Sequence, residues 1–454
     1  MEELHEECGI FGIKYTEEAA RKTFFGLIAL QHRGQESCGI AVNKNREITA
    51  YKNEGLVNDI FTESVLDSLQ GDMAVGHVRY STAGGGGVIN AQPLTLNYIK
   101  GSLAMAHNGN LINYHELKKE YEKTGAIYQT SSDTEIIAYT IARERVNTPS
   151  IELAILQSMS RLKGAYSLIV MSPQKLIAAR DPWGFRPLCV GRCADGAYVF
   201  ASESCALDAV DAAFLRDVEP GEVIVADQAG LRSLRYGDKP PSSLCIFEYI
   251  YFARPDSYVD GQFVLEARMN AGRELARQSP AQADAVIGVP DSGTAAAQGY
   301  ALESGIPYVD GFVKNRYVTR TFIRPSQSMR ELAVKLKLNP IARHIAGKRV
   351  VLIDDSIVRG TTCRHIIGIL RKAGAREIHV RASAPRFLHP CYFGIDIPTE
   401  NELIANNHSI EETRQYLGAD SLAYLSLENL LKIAPNAKTG FCRGCFTGEY
   451  PLQI

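Results

Sequence analysis

Two adjacent carboxylates follow a run of apolar residues in the stretch VVLIDDSIVRGTT, residues 350–362. The apolar run predicts a buried strand that ends in Asp354 and Asp355, and TTCRHIIGILRKAGA predicts an amphipathic helix that stops at Gly374. Small hydroxyl residues and glycine at a helix start present N–H groups that suit a phosphate, while paired carboxylates suit ribose hydroxyls or a hydrated Mg²⁺. The stretch therefore indicates a site for phosphate and ribose, with an ordinary capped loop as the competing interpretation.

Ten cysteines offer a second set of reactive groups. Cys442 and Cys445 form a C-x-x-C near the end of the sequence, whereas Cys245 and Cys391 stand alone. A C-x-x-C in a long chain without a secretory signal indicates metal or redox chemistry rather than a disulfide scaffold. If Cys245 and Cys391 fold beside the pair, four thiolates would suit Zn²⁺ or a 4Fe–4S cluster, and the residues alone leave both open.

Cys8 is a third candidate, because the sequence begins MEELHEECGIFG and places this thiol between a short acidic leader and an apolar run. The leader is too short and too acidic for a secretory signal or a membrane span. Two interpretations remain. Cys8 is either a small packed residue behind a frayed tail, or it becomes the first residue of the mature chain once residues 1–7 are removed.

The chain has 454 residues, and this length predicts two or three domains. Their strands and helices must position the groups described above. Lys and Arg number 49 against 51 Asp and Glu, for a net charge of -2, so there is no overall basic field that would hold nucleic acid. No apolar run approaches the roughly 20 residues that span a bilayer. We therefore expect a cytoplasmic protein that binds neither nucleic acid nor membrane.

The sequence pattern changes at about residue 236. Before it, GDMAVGHVRYST, GSLAMAHNGNL, AYSLIVM and KLIAARD have the pattern of buried strands, and IELAILQSMSRLKG has helical spacing. This half predicts layered α/β packing around mixed or antiparallel sheets. After it, ADAVIGVP, KRVVLIDD and EIHVRASA are strand-like and are each followed by a turn and a helical stretch. This half predicts an open parallel sheet with helices on both faces, and LRYGDKPPSSLC predicts the connector between the halves.

Five motifs of the first half occur in the order CGIFG, LQHRGQESCGI, GHVRYST, HNGNL and SSDTE. Together they resemble the N-terminal-nucleophile (Ntn) glutamine amidotransferase domain. The resemblance implies that residues 1–7 are a propeptide and that Cys8 is the nucleophile and, through its own α-amine, also the base. An α-amine has a pKa of about 7.7–8.0 and so exchanges a proton near neutral pH.

Four further residues receive catalytic or binding roles from the same resemblance. Asn108 and Gly109 would donate hydrogen bonds to the tetrahedral oxyanion, although an Asn-Gly pair is also typical of a hairpin turn. Arg79 would hold the α-carboxylate of glutamine and Asp133 its α-ammonium, although SSDTE is also a typical helix start. The glycine run at residues 84–87 would fold over bound glutamine.

In the second half, VVLIDDSIVRGTT and IGVPDSGT (residues 287–294) resemble the phosphoribosylpyrophosphate (PRPP) motif of type I phosphoribosyltransferases. The resemblance implies that Ser292, Asp354 and Asp355 hold Mg²⁺, and that the basic segment 314–340 closes over pyrophosphate. The implied PRPP-binding residues are Asp291, Ser292, Asp354, Asp355, Ser356, Arg359, Gly360, Thr361 and Thr362.

Taken together, the halves resemble the amidophosphoribosyltransferase family, in its iron–sulfur-containing subgroup with a propeptide. The resemblance implies a propeptide (1–7), an Ntn-hydrolase αββα sandwich (8–236), and a type I phosphoribosyltransferase domain (237–454) with an open, mostly parallel sheet and helices on both faces. The implied reaction transfers the amide nitrogen of glutamine to C1 of PRPP and gives 5-phosphoribosylamine, glutamate and pyrophosphate, in the first step of purine synthesis. The implied cofactors are Mg²⁺ and a 4Fe–4S cluster on Cys245, Cys391, Cys442 and Cys445.

Two alternatives accompany this interpretation. One is an enzyme with the same glutaminase half but a different acceptor for the nitrogen, which makes glucosamine phosphate, asparagine or glutamate. The stretch IDDSIVRGTT argues against this alternative, because none of those reactions uses PRPP. The other is a PRPP-sensing regulator without turnover, which would need a DNA-binding module and a damaged nucleophile, and the sequence indicates neither. Feedback inhibition by purine nucleotides and a homotetramer follow from the resemblance alone.

Overall fold

The structure, a computed structural model, describes residues 8–80, 87–237, 241–315, 338–395 and 399–453. The predicted propeptide 1–7, residues 84–86 of the glycine run and residues 316–337 of the basic segment lie outside the described residues. Within the described ranges, no helix has the length and apolar character that a membrane span needs.

The first half alternates short strands with peripheral helices. Its strands are β1 (Gly9–Lys14), β2 (Ser37–Lys44), β3 (Glu47–Glu54), β4 (Met73–Arg79), β5 (Leu94–Tyr98), β6 (Gly101–Leu111), β7 (Gly164–Met171), β8 (Leu176–Arg180), β9 (Cys189–Cys193), β10 (Tyr198–Ala201), β11 (Ala212–Asp217), β12 (Glu222–Asp227) and β13 (Gly230–Arg235). Its helices are α1 (Ala19–Ala29), α2 (Val57–Ile60), α3 (Glu63–Ser68), α4 (Tyr114–Glu122), α5 (Asp133–Asn147), α6 (Ile151–Ser158) and α7 (Cys205–Asp208), with 3₁₀ turns at Gln31–Arg33 and Val88–Asn90. The stretch IELAILQSMSRLKG is therefore helical only in its first part.

The described strands form two stacked antiparallel sheets, in the orders β11-β9-β10-β1-β4-β2-β3 and β13-β12-β8-β7-β6-β5. The alternation of side chains along β1 explains why this central strand carries apolar residues on both of its faces. Ile10 faces the second sheet and packs with Ala106 and Ile169, whereas Phe11 and Ile13 face the opposite way, in the core that includes α1. The outer face of the second sheet packs on α4, α5 and α6. The αββα sandwich predicted from the resemblance is confirmed.

The second half contains longer helices between its central strands. Its strands are β14 (Ser243–Cys245), β15 (Tyr258–Val259), β16 (Gln262–Phe263), β17 (Ala285–Gly288), β18 (Phe312–Lys314), β19 (Leu338–Pro340), β20 (Arg349–Asp354), β21 (Glu377–Ala382), β22 (Ser421–Tyr424) and β23 (Gly440–Cys442). Its helices are α8 (Val264–Gln278), α9 (Ser292–Ser304), α10 (Ala342–Ile345), α11 (Thr361–Lys372), α12 (Ile404–Asn407), α13 (Ile410–Leu417), α14 (Leu427–Leu430) and α15 (Gly444–Thr447), with a π turn at Glu248–Phe252 and a 3₁₀ turn at Glu400–Glu402.

The central sheet of this half has the order β17-β20-β21-β22 and is parallel throughout its described pairs. Val351 and Ile353 of β20 pack on the side of α8 and α9, whereas Val350 and Leu352 pack on the side of α11. The predicted open parallel sheet with helices on both faces is thus confirmed.

The segment after β21 differs from the expected turn and helix, because residues 383–395 are irregular. They pack against the first half instead. The ring of Phe393 stacks on that of Phe185 with centroids 4.2 Å apart, and Nδ2 of Asn110 donates to the carbonyl of Tyr392 at 2.9 Å. This segment carries Cys391, so its shape follows from the contact between the halves rather than from local helix propensity.

Candidate active sites

The adjacent ends of two central strands of the first sheet bring Cys8 beside Arg79. β1 pairs antiparallel with β4 in a register that places Cys8 level with Arg79. Cys8 is half-buried, and its Sγ lies 3.6 Å from the carbonyl oxygen of Tyr80. Arg79 is buried, and a Cβ added to Gly34 in the LQHRGQ motif would lie 2.6 Å from its backbone. The predicted nucleophile and the predicted carboxylate-binding residue therefore lie at neighbouring ends of two paired strands.

Asn108 and Gly109 lie inside the ladder between β6 and β7, so the interpretation of this pair as a hairpin turn is wrong. The Asn108 side chain is buried, and among the described residues neither its Nδ2 nor its Oδ1 has a hydrogen-bond partner. Such a group is costly to bury unless another molecule completes it. Gly109 has a φ of 142°, and an added Cβ would lie 2.0 Å from the carbonyl oxygen of Ala165. This position accepts only glycine.

Asp133 is the first residue of α5, and the hydroxyl of Ser132 caps the helix by accepting the N–H of Thr134. The helix-start interpretation of SSDTE is therefore confirmed. Oδ2 of Asp133 accepts the N–H of Leu111 at 3.0 Å, and Oδ1 lies 3.5 Å from Nδ1 of His107. Burial opposes ionisation, but His107 and the backbone N–H groups outweigh it and hold the pKa of Asp133 below its usual range. The carboxylate stays charged and suits an ammonium ligand.

His77, inside GHVRYST, has a role that sequence reasoning missed. Its Nε2 lies 3.0 Å from the carbonyl oxygen of His107, so the bond joins β4 of one sheet to β6 of the other. Burial lowers the pKa of His77 to about 3, so the ring is neutral and donates this bond from Nε2. The bond fixes the strand of Arg79 relative to the strand of Asn108. A histidine within an apolar strand was the only available signal, and it did not reveal the partner.

The second site lies where the parallel strands β17 and β20 end. Asp354 and Asp355 are buried there. The carboxylate of Asp355 accepts hydrogen bonds from the hydroxyls of Ser292, at the start of α9, and Ser356. The two motifs that resemble the PRPP site are thus brought into direct contact.

The loop after these acids leads into α11. Gly360 has a φ of 77° and stands directly before the helix, which begins with the exposed Thr361. Oγ1 of Thr362 is buried and lacks a hydrogen-bond partner in the part of the chain that the structure describes. Together with the helix N-terminus, this hydroxyl suits a phosphate oxygen.

Two predicted PRPP-binding residues instead contact other side chains. The guanidinium of Arg359 pairs with Glu402 at 2.8 Å, and the carboxylate of Asp291 pairs with Lys314 at 2.5 Å. Both residues are close in sequence to Ser292 and Asp355, which do contact each other, but their own charged groups pair with Glu402 and Lys314.

β14 and β23 bring the candidate cysteines together, because they pair in parallel with Cys245 opposite Cys442. Two N–H groups of the segment that precedes Cys391 donate to the carbonyl of Cys445 at 3.0 and 3.1 Å. Burial raises the pKa of Cys445 well above its usual range, and the other three thiols raise it further. The sulfur of Cys445 therefore lies within electrostatic reach of the other three.

Comparison with known proteins identifies both halves. A glutamine amidotransferase domain family matches residues 77–209, and a phosphoribosyl transferase domain family matches residues 260–386. The amidophosphoribosyltransferase of Bacillus subtilis is 51% identical, over 99% of this chain and 95% of its own length. The chain belongs to the amidophosphoribosyltransferase family. The amidophosphoribosyltransferase of Methanocaldococcus jannaschii is 48% identical, with 98% of each sequence covered.

Two solved structures share the fold of this chain. Glutamine PRPP amidotransferase from B. subtilis, complexed with ADP and GMP, matches with a TM-score of 0.92 at 50% identity and covers 98% of both chains. A structure described as the allosteric regulatory enzyme of purine biosynthesis matches with a TM-score of 0.93 at 50% identity, over 98% of this chain and 97% of that one. The predicted family and its combination of a glutaminase sandwich with a phosphoribosyltransferase sheet are confirmed.

Proposed function

We propose that this chain transfers the amide nitrogen of glutamine to C1 of PRPP and releases 5-phosphoribosylamine, glutamate and pyrophosphate, in the first committed step of purine synthesis. The observation that carries the proposal is the presence of both candidate sites in one chain that matches amidophosphoribosyltransferases of about 50% identity over almost its full length. No observation favours a PRPP sensor without turnover.

In the glutaminase site, the thiolate of Cys8 would attack the carboxamide carbon, and the α-amine exposed by removal of residues 1–7 would accept the thiol proton and pass it to the leaving ammonia. Arg79 would bind the α-carboxylate through its planar fork, and Asp133 would bind the α-ammonium. The Nδ2 of Asn108 would donate to the oxyanion, which accounts for a buried amide without a partner among the described residues. Water then releases glutamate from the thioester.

In the synthase site, ammonia would displace pyrophosphate from C1 of PRPP. The loop 356–362 would hold the 5-phosphate at the N-terminus of α11, and Asp354 and Asp355 would hold the ribose hydroxyls and, with Ser292, the metal. Mg²⁺, when bound, would neutralise charge on the leaving pyrophosphate. Arg359 and Asp291 would exchange their present partners for PRPP and its metal.

Four of the five cysteines of the second half would hold a 4Fe–4S cluster rather than zinc, namely Cys245, Cys391, Cys442 and Cys445. Tetrahedral zinc with bonds of 2.3 Å requires the four sulfurs to be about 3.8 Å apart. A 4Fe–4S cluster would bind each thiolate at a different iron atom and therefore suits sulfurs that are farther apart. In the described ranges no three His, Cys, Asp or Glu side chains converge on one ion position, although the thiols of Cys245, Cys391 and Cys442 all influence that of Cys445. The N–H of Phe393 donates to Sγ of Cys391 at 3.4 Å, a type of bond that tunes iron–sulfur centres. The cluster would tie the connector to the C-terminal segment.

Pyrophosphate release measured with glutamine and, separately, with ammonia tests the proposed reaction. Cys8→Ser should lose the glutamine-dependent rate and keep the ammonia-dependent rate, while Asp355→Asn should lose both. PRPP binding without pyrophosphate release from either nitrogen source would contradict the proposal and favour the sensor. Mass spectrometry of the mature N-terminus tests the propeptide 1–7, and a chain that is fully active with its first methionine would contradict the role of the α-amine.

The remaining features of the proposal follow from the resemblance. The glutaminase domain would span residues 8–236 and the phosphoribosyltransferase domain residues 237–454. Purine nucleotides, of which ADP and GMP are bound in the B. subtilis structure, would act as feedback inhibitors. The enzyme would work as a homotetramer in the cytoplasm, where reducing conditions keep its thiols available.

A further inference from the structure

The segment 90–92 of the glutaminase half is buried, and each of its three residues is tied to a different element. Asn90 binds the start of α5 through both ends of its side-chain amide. Its Oδ1 accepts the N–H of Ser131 at 3.1 Å, and its Nδ2 donates to the hydroxyl of Ser131 at 3.0 Å. Ser131 stands two positions before Asp133, the candidate ligand for the α-ammonium of glutamine. The place of Asp133 therefore depends on Asn90.

Gln92 binds the strand that carries the candidate oxyanion donors. Its Oε1 accepts the N–H of His107 at 2.8 Å. β5 pairs with β6 only as far as Leu94 opposite Met105, so the side-chain amide of Gln92 supplies the acceptor beyond that pair. A buried N–H without an acceptor is costly. Because His107 directly precedes Asn108, Gln92 determines where this part of β6 lies.

The first sheet holds the segment itself in place. Nζ of Lys52 on β3 donates to the carbonyl of Ala91 at 2.5 Å. A Cβ added to Gly39 of β2 would lie 2.3 Å from the carbonyl oxygen of Gln92, so the backbone of the segment runs in close contact with that strand. The segment is thus a fixed support from which both α5 and β6 are held.

The two groups held in this way would bind opposite ends of glutamine. Asn108 would meet the oxyanion formed from the carboxamide, and Asp133 would meet the α-ammonium. Nδ1 of His107 lies 3.5 Å from Oδ1 of Asp133 and 3.3 Å from Oγ1 of Thr134, so β6 and the start of α5 also contact each other directly. The segment 90–92 joins the same two elements a second time, from the side of the first sheet.

We propose that Asn90 and Gln92 are positioning residues that fix the spacing between the two ends of the glutamine site. Asn90 acts through Asp133 and therefore on the binding of glutamine. Gln92 acts through Asn108 and therefore on the stabilisation of the oxyanion. The inference rests on the proposed function, since Asn108 and Asp133 must bind glutamine in the roles given above.

The test measures pyrophosphate release at varied glutamine concentration with saturating PRPP and Mg²⁺. Asn90→Ala should raise KM for glutamine at least about tenfold and leave kcat within about threefold, because the ammonium ligand is displaced while the oxyanion donors keep their place. Gln92→Leu should lower kcat at least about tenfold and leave KM within about threefold, because His107 loses its acceptor and the oxyanion strand moves. The rate with ammonia should stay within about twofold of the wild type in both variants.

Asn113→Ala is the matched control. Asn113 is also buried, and its side chain also binds two groups at once. Its Nδ2 donates to the carbonyl of Arg161 at 2.9 Å, and its Oδ1 accepts the N–H of Lys163 at 3.1 Å. Neither partner is a candidate glutamine ligand. This variant should lose two hydrogen bonds, as Asn90→Ala does, and keep KM and kcat for glutamine within about twofold of the wild type.

A segment that only stabilises the fold would lower the melting temperature without separating KM from kcat. The proposal is overturned if Asn90→Ala and Gln92→Leu change KM and kcat in the same way, or if the constants of Asn90→Ala equal those of Asn113→Ala.

If the buried substitutions do not fold, the exposed Ser131 decides. Ser131→Ala should raise KM for glutamine at least about threefold, the effect of one lost hydrogen bond, whereas Ser131→Thr keeps the hydroxyl and should keep KM. Equal KM values in these two variants would overturn the proposal. Failure of the proposed function is distinguishable, because the wild type itself would then release no pyrophosphate with either nitrogen source.

Discussion

Gly109→Ala should remove glutamine-dependent synthesis and spare ammonia-dependent synthesis. The φ of 142° is one at which any other residue is strained by about 1–3 kcal/mol. The new Cβ would lie 2.0 Å from the carbonyl oxygen of Ala165 and 2.6 Å from its carbonyl carbon. Both atoms are backbone atoms of β7, so no side chain can move away. β6 must separate locally from β7 and displace Asn108 from the oxyanion position.

The size of the effect follows from the loss of the oxyanion donors, which costs about 10²–10³ in kcat. Pyrophosphate release with glutamine should therefore fall at least about 100-fold. Release with ammonia should stay within about twofold of the wild type, because the synthase site lies in the other half. The backbone strain alone should lower the melting temperature by about 2–12 °C, from roughly 2–4 °C for each kcal/mol.

Gly101→Ala on the same strand is the matched control. Gly101 has a φ of 119°, but an added Cβ would meet nothing nearer than the side chain of Pro173 at 3.9 Å. This variant should carry the backbone strain and keep the glutamine-dependent rate. A folded Gly109→Ala protein whose glutamine-dependent rate equals that of Gly101→Ala would refute the assignment of Asn108 and Gly109 to the oxyanion site.

Three further substitutions test other parts of the molecule. Asn108→Ala should lower glutamine-dependent release by about 100-fold or more without lowering the melting temperature, because within the described residues this buried amide has no hydrogen bond to lose; a clear drop in melting temperature would contradict this. Cys442→Ser should abolish the iron content and brown colour of anaerobically purified protein, whereas Cys189→Ser should keep both; an iron-loaded Cys442→Ser protein would rule out the ligand set. Glu203→Gln should lower the free energy of unfolding at pH 7, and the deficit should shrink as the pH falls below about 4.3, the ordinary pKa of Glu. Burial opposes ionisation of Glu203, but His32 and Arg33 hold its pKa below the usual range in the folded state, so its contribution is present above that pH and is lost on acidification; a deficit that is constant between pH 7 and 3 would contradict this.

Much of the fold could be predicted because the local patterns and the tertiary environment agree. The run VVLI before Asp354 is apolar at every position because β20 is buried on both faces, and that pattern is visible in one sequence. The stretch after β21 could not be predicted in the same way. Its residues 383–395 take an irregular path because the ring of Phe185 and the amide of Asn110, more than 200 positions earlier, offer contacts that a helix would forgo.

The same distinction applies to the candidate sites, where local patterns could place some residues and not others. Residues next to a strand end, such as Asp355 and Ser292, could be placed together, because parallel strands end at one edge of a sheet. Side chains that act across two sheets could not be placed. His77 was visible as part of GHVRYST, but its bond to the carbonyl of His107 depends on how the two sheets stack, and no periodicity encodes that stacking.

Stability alone does not account for the buried charges between the halves. Two ions removed from water recover their lost hydration only with good geometry, and apolar residues of the same shape often replace them at no cost. An apolar boundary would also tolerate sliding of one surface over the other. The directional bonds from Arg33 of the first half, to Glu203 of the same half and to Glu248 of the second, favour one relative placement of the halves. Ammonia that leaves one site must reach the other without escaping to water, where it would be protonated and lose its nucleophilicity. A boundary built from oriented charges serves that requirement, because it fixes the position of one half relative to the other even where it adds little to the free energy of unfolding.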